Sequence, residues 1–130
     1  MSVESTRKAM TRYIESQHAD LSMMADGVVF TNMTTGDEHQ GVEAVREMLN
    51  HIYHVAFDAK AELKNAVYAD RQAALEFDFV GKHIGEFAGV PATQKSVRVP
   101  LCVTYDLEGG KITRGRVYFQ VPALLKQLAT

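Results

Sequence analysis

The sequence lacks several features that would mark particular classes of protein. It has one cysteine, Cys102, so no internal disulfide can form. Cys102 falls within a predicted strand, which suits a small buried residue better than a catalytic thiol. No apolar run approaches the length needed to span a membrane, and the polar N-terminus has no signal-peptide core. We therefore expect a cytoplasmic protein.

Neither sign of charge is in large excess. The formal net charge is −2, which gives no electrostatic reason to bind nucleic acid or an anionic membrane. There is no glycine-rich phosphate loop, no Ser-His-Asp set and no nucleic-acid motif. With 130 residues, of which 46% are hydrophobic and 23% charged, the chain is typical of one globular domain. We expect residues 1–130 to form that domain.

Hydrophobic periodicity predicts helices first and strands afterwards. Spacing of three and four residues predicts helices, whereas alternation predicts strands. The predicted helices cover residues 3–18, 21–25, 41–57 and a short segment that begins at Pro122. The predicted strands cover residues 28–32, 59–69, 72–82, 97–107 and 111–121. This order predicts an α+β cone, in which a strongly curved antiparallel sheet wraps around the helices and encloses a pocket.

The last two strands form the hairpin that we expect to organise the molecule. Glu108-Gly109-Gly110 provides a tight turn, because glycine readily adopts positive φ. If Leu107 lies opposite Ile112, the two strands share one face, which would carry Val99, Leu101, Val103, Tyr105, Arg114, Arg116, Tyr118 and Gln120. We predict that this face lines the cavity. The opposite face would carry Val117, Phe119 and Val121 and form a packing or subunit surface, which predicts a homodimer.

Arg116 is the candidate for binding negative charge inside this cavity. A charge-assisted hydrogen bond from its guanidinium would hold a carboxylate, phenolate or enolate. The alternative is an ion pair with Glu76 or Asp78 on a neighbouring strand. If either carboxylate points inward beside Arg116, it would supply an acid/base group.

Other side chains complete the predicted pocket for a small hydrophobic molecule. Asn32, at the end of a strand, would place a polar group at the mouth, and Tyr53 would pack on a flat ligand or belong to the plain core. The set of ligand-binding candidates is Asn32, Tyr53, Glu76, Asp78, Leu101, Val103, Tyr105 and Tyr118. Glu47, His51 and His54 share a helical stripe, but no further ligand is near in sequence, so no metal site is expected.

Residues 81–97, GKHIGEFAGVPATQKSV, resemble the signature G-x-H-x-G-E-F-x-G-x-P-x-T-G-K-x-V of the SnoaL-like polyketide cyclases. That family belongs to the nuclear transport factor 2-like superfamily of cone folds. The resemblance implies a cofactor-independent, metal-free aldol cyclase that closes a ring of an aromatic polyketide ester. It also implies that an Asp in Y-F-D is the acid/base. Here the tripeptide is Tyr118-Phe119-Gln120, and glutamine cannot exchange a proton near neutral pH.

Two functions follow as expectations. The first is cyclisation or isomerisation of an apolar aromatic or polycyclic carbonyl compound, with Arg116 stabilising an enolate beside Gln120. His83, in the family-like loop, is a further catalytic candidate, with a structural role in that loop as the alternative. The second function is non-catalytic binding or association by a domain of the same fold.

Overall fold

The computed structural model describes residues 2–129. Its elements are α1 (Val3–Glu15), a 3₁₀ turn (Leu21–Met23), β1 (Met24–Asn32), β2 (Glu38–Gln40), α2 (Val42–Asn50), a π-helical turn (His51–Val55), β3 (Phe57–Ala69), β4 (Gln72–His83), β5 (Ser96–Glu108), β6 (Lys111–Phe119) and α3 (Val121–Ala129). No helix within this part of the chain is long and apolar enough to cross a membrane.

The strands form one curved six-stranded sheet in the order β2-β1-β6-β5-β4-β3. Neighbouring strands are antiparallel except β1 and β6, which run parallel. The predicted α+β class is confirmed. The sequence prediction missed β2 and began β1 four residues late, at residue 28 rather than Met24. It also predicted a fully antiparallel sheet, whereas β1 and β6 pair in parallel.

The first helix ends earlier than predicted, at Glu15 rather than residue 18. Ser16 stops it, because its Oγ donates to the Tyr13 carbonyl at 2.6 Å and accepts from the Asp20 N–H at 2.9 Å. Gln17 and His18 then adopt positive φ, 54° and 64°. The chain thus turns sharply, and the His18 side chain is buried. The predicted second helix is only the 3₁₀ turn, capped by Asp20.

The long helix predicted over residues 41–57 changes pitch before it ends. After Asn50 the chain widens into the π-helical turn, in which the Ala56 N–H donates to the His51 carbonyl at 2.7 Å. Phe57 already belongs to β3. Single-turn π segments often occur at functional sites, and this one brings Ile52 and Tyr53 to the interior.

The predicted turn of the β5–β6 hairpin is confirmed, but its register is wrong by one residue. Gly109 and Gly110 have φ of 57° and 80°, and Leu107 lies opposite Ile112. Asp106, however, lies opposite Arg114, which leaves Thr113 as an extra residue in β6. The Thr113 hydroxyl donates to the Asp106 carbonyl at 3.1 Å. The Leu107 N–H donates to the Arg71 carbonyl on the β3–β4 turn at 2.9 Å, which extends the pairing of β5 with β4.

Because side chains alternate along a strand, the extra residue places each later side chain of β6 on the face opposite to the predicted one. Val117 and Phe119 lie on the concave face with Val103, whereas Arg116 and Tyr118 lie on the convex face. The core fills the space between the concave face and the helices. The predicted subunit surface is therefore an interior wall. The homodimer stays a prediction that the family resemblance implies, without support from this face.

Candidate functional site

A cavity of about 440 Å³ lies between the concave face of the sheet and the helices. Cavities of a few hundred cubic ångströms are typical of small-molecule sites. The sheet contributes mainly apolar walls, which are Phe30, Phe79, Leu101, Val103, Tyr105, Val117 and Phe119. Three of these were predicted to line the cavity, Leu101, Val103 and Tyr105. The shape and lining suit an apolar ligand.

The inner part of the cavity is aromatic. Tyr53 lies 5.5 Å from Phe79 between ring centroids, and Tyr13 lies 6.2 Å from Tyr105. Burial raises the pKa of Tyr13, Tyr53 and Tyr105 above the ordinary value of 10.0, so all three are neutral phenols near neutral pH. Tyr53 thus lines the cavity as predicted.

His18 is a cavity residue that the sequence analysis missed. Its side chain lines the cavity, is 7% exposed, and stacks on Tyr53 at 5.3 Å between ring centroids. Burial lowers the pKa of His18 to about 4, and a hydrogen bond with the Gln17 backbone, which raises the pKa, offsets only part of this. The imidazole is therefore neutral near pH 7. No sequence pattern marks it, because its position depends on the left-handed turn at residues 17–18.

Polar side chains gather at the mouth of the cavity. Asn32 lies there as predicted, but its Oδ1 already accepts from the N–H groups of Thr34 and Thr35, at 2.9 and 3.3 Å. Glu47 and His51 line the rim and are exposed. Within residues 2–129, Glu47 is the one carboxylate of the lining, and no three potential metal ligands form a group.

Three candidates from β6 and the residue after it, two catalytic and one ligand-binding, do not face this cavity. Arg116, Tyr118 and Gln120 lie on the convex side of the sheet, and Tyr118 is 43% exposed. Tyr118 and Gln120 border a separate shallow groove beside Cys102. The predicted placement of all three is wrong because the bulge at Thr113 shifts the register by one residue.

The two carboxylates of β4 also point outward. Asp78 Oδ2 lies 2.8 Å from Arg98 Nη1, and Glu76 Oε1 accepts from Asn65 Nδ2 at 2.9 Å. Neither is the partner of Arg116, whose guanidinium instead makes two hydrogen bonds with Asp106. These bonds hold the pKa of the Asp106 carboxyl below its ordinary value. The predicted cavity positions of Glu76 and Asp78 are therefore wrong.

His83 is fully buried but lies outside the cavity lining. The Thr93 N–H donates to its Nδ1 at 3.1 Å, and its ring packs 5.0 Å from that of Phe57. Its backbone also bonds to Gln94 and Lys95 across the loop. These contacts favour the structural role for His83, which is to close the connection between β4 and β5.

Comparison with known proteins agrees with this architecture. The family described as SnoaL-like polyketide cyclase matches residues 7–128. The structure is similar to that of a protein described as a SnoaL-like polyketide cyclase from Jannaschia sp. CCS1, with a TM-score of 0.86, 14% identity and coverage of 98% of this chain and 93% of that chain. A protein described as a polyketide cyclase from Silicibacter sp. TM1040 gives a TM-score of 0.80, 25% identity and coverage of 98% and 97%.

A third structure, from Catenulispora acidiphila, has a ketosteroid isomerase-like fold and contains trimethylamine. Its TM-score is 0.75, at 15% identity, with coverage of 95% of this chain and 94% of that chain. Among curated proteins, none matches the sequence.

Proposed function

The chain belongs to the SnoaL-like polyketide cyclase family, and from that premise we propose that it binds a small, neutral, ring-bearing carbonyl compound in its cavity. The observation that carries the proposal is the aromatic cavity of about 440 Å³ between the helices and the concave sheet. A flat compound of two or three rings suits this space, since ligand pockets of similar volume bury most of a drug-sized molecule.

The charges of the lining favour a neutral ligand. Among residues 2–129, no lysine or arginine borders the cavity, and Glu47 at the rim is exposed to water. A ligand carboxylate in the inner part would have no cation to pair with, and burying an unpaired charge is costly. Neutral ring compounds meet no such penalty.

Turnover of the ligand, by isomerisation or aldol cyclisation, is a second candidate function. The position expected to carry the acid, Gln120, lies outside the cavity. The observation that favours turnover is the position of His18, whose imidazole borders the cavity. Its pKa of about 4 leaves it neutral near pH 7 and makes it a weaker base than an ordinary histidine. Binding without turnover, the alternative, needs no such group.

The test of binding uses prodan, a neutral naphthalene ketone whose fluorescence shifts to the blue in apolar surroundings. The protein has no tryptophan, so its own emission does not interfere. We expect saturable binding with a blue shift. Val103→Phe should fill the cavity and abolish it, whereas Thr104→Phe, on the opposite face of the same strand, should leave it intact. Absent saturation, or equal binding by both variants, would contradict the proposal.

The test of turnover uses the same ketone in deuterated water. Removal of an α-proton by His18, followed by return of deuterium, exchanges the methylene group next to the carbonyl. We expect a turnover enzyme to accelerate this exchange, measured by proton NMR, and His18→Phe to remove the acceleration. Exchange at the rate of buffer alone, with binding intact, would leave ligand binding as the function.

A further inference from the structure

Phe87 is the side chain that the family-like segment 81–97 contributes to the cavity lining. It lies in the connection between β4 and β5, and its ring packs against that of Phe57, with centroids 5.4 Å apart. Within residues 2–129, every other phenyl or phenol ring of the lining belongs to a helix, a strand or the π-helical turn and is buried. Phe87 is only half-buried. Because it lines the cavity and keeps part of its surface accessible, a ligand can contact it.

A tight turn holds Phe87 in this position. The Phe87 N–H donates to the Val90 carbonyl at 3.0 Å, and the Val90 N–H donates to the Phe87 carbonyl at 2.8 Å. Between them, Ala88 and Gly89 have positive φ, 49° and 82°, as in the two-residue turns that join strands of a hairpin. In the described part of the chain, residues 86–92 form no other hydrogen bond. The turn is therefore a separate piece of the wall, and a substitution at Phe87 does not interrupt the pairing of the sheet.

The base of this turn is fixed to the end of the π-helical turn. The N–H groups of Ile84 and Gly85 both donate to the Ala56 carbonyl, each at 3.0 Å. A Cβ at position 85 would overlap the Val55 carbonyl oxygen, so this close approach requires glycine. The anchored backbone gives the Phe87 ring a defined place at the cavity.

We propose that Phe87 determines ligand specificity, because its ring limits the size of the ring system that the cavity accepts. This inference rests on the proposed function, since it concerns the ligand of the same cavity. A flat compound of two or three rings suits the cavity with Phe87 in place. A compound of four fused rings needs the space that the phenyl ring occupies, and close-packed walls supply no other room of that size.

The experiment measures the affinities for two neutral ketones by titration calorimetry. The first is propanoylnaphthalene, which is prodan without its dimethylamino group, and the second is propanoylpyrene. Pyrene exceeds naphthalene by as many carbon atoms as Phe87→Ala removes. We expect the wild type to bind the naphthalene ketone more tightly. Phe87→Ala should shift this preference toward the pyrene ketone by about tenfold, because the added rings are buried in the vacated space and the naphthalene ketone loses its contact with the phenyl ring.

Ile84→Ala is the matched control. Ile84 lies in the same connection, is 39% exposed and does not line the cavity, so its truncation should leave the preference between the two ketones unchanged. Phe87→Leu keeps part of the side-chain volume and should give an intermediate preference. It also serves as the test if Phe87→Ala does not fold, which thermal unfolding without ligand would show.

The outcomes separate the role of Phe87 from that of the cavity. If the wild type binds the naphthalene ketone but binds the pyrene ketone as tightly, the ring sets no limit and the inference is overturned. The same holds if the folded Phe87 variants keep the wild-type preference, or if Ile84→Ala shifts it equally. In each of these cases the proposed function stands. If neither ketone binds the wild type, the proposed function is overturned together with this inference.

Discussion

Arg116 Nη2 lies 3.1 Å from Asp106 Oδ2, and this ion pair bridges β5 and β6 on the convex face, behind the cavity wall. Both side chains are about one-third exposed. Solvent screens such pairs, so their contribution to stability is small.

Arg116→Gln should therefore leave prodan binding unchanged and lower the free energy of unfolding by no more than about 1 kcal/mol. Fluorescence titration and urea unfolding would measure the two quantities. A tenfold loss of affinity with normal stability would mean that Arg116 reaches the ligand, and the convex placement would be wrong.

Gln120→Asp should not create or enhance turnover, although it restores the acid of the family tripeptide. Gln120 is exposed and borders the convex groove, so a carboxylate there has no access to a ligand in the cavity. The measurement is α-proton exchange of prodan by the variant and the wild type in deuterated water. A faster exchange in Gln120→Asp than in the wild type would place position 120 at the reacting atoms.

His18 should make the protein less stable in mild acid. Its pKa is about 4 in the folded state against 6.5 for an unperturbed histidine, so the unfolded chain binds the proton more tightly between those values. The free energy of unfolding should therefore fall as pH drops from about 6.5 to about 4, by up to about 3 kcal/mol, and this loss should level off below pH 4.

Urea unfolding at several pH values, for the wild type and for His18→Phe, isolates this effect from those of other titrating groups. The difference in stability between the two proteins should change across that pH window and be constant above it. Arg46 and His54 border the groove on the far side of His18 and are present in both proteins. A difference that does not vary with pH would show that His18 has the same pKa in the folded and unfolded states, and the prediction would be wrong.

Gly115→Ala should disturb the cavity through Phe30. A Cβ at position 115 would lie 2.8–2.9 Å from three atoms of the Phe30 ring, closer than side chains pack. Because Phe30 lines the cavity, its displacement should weaken prodan binding and cost about 1–3 kcal/mol of stability. Gly27→Ala is the matched control, since no atom lies within 4 Å of its Cβ position. Equal behaviour of the two variants would contradict this packing.

The sequence predicted those parts of the fold that depend on local signals. Gly109-Gly110 marked the hairpin turn, alternation marked β3 to β6, and Asp20 marked a helical cap, all of which the structure contains. The family-like loop around His83 also predicted the fold class, which is confirmed. Leu101, Val103 and Tyr105 were placed in the cavity because their strand is apolar on one face.

What the sequence could not predict depends on contacts between distant segments. Thr113 is an ordinary strand residue, and it becomes a bulge where β6 pairs with β5 on one side and β1 on the other, with a register shift in both pairings. His18 was missed because non-glycine residues rarely adopt positive φ, which the Ser16 contacts impose here. The π-helical turn follows a sequence whose spacing is that of an ordinary α-helix.

The bulge at Thr113 also bears on how proteins of this shape diverge. Loss of Thr113 would remove the unpaired residue and leave Arg114, Arg116 and Val117 opposite their present partners, so their faces would not change. The strand would lose the bend and the added twist that a bulge gives, while the wall of the cavity stayed apolar. Changes of length at this position are thus a route by which related proteins can alter the curvature of the cone without replacing the residues that line it.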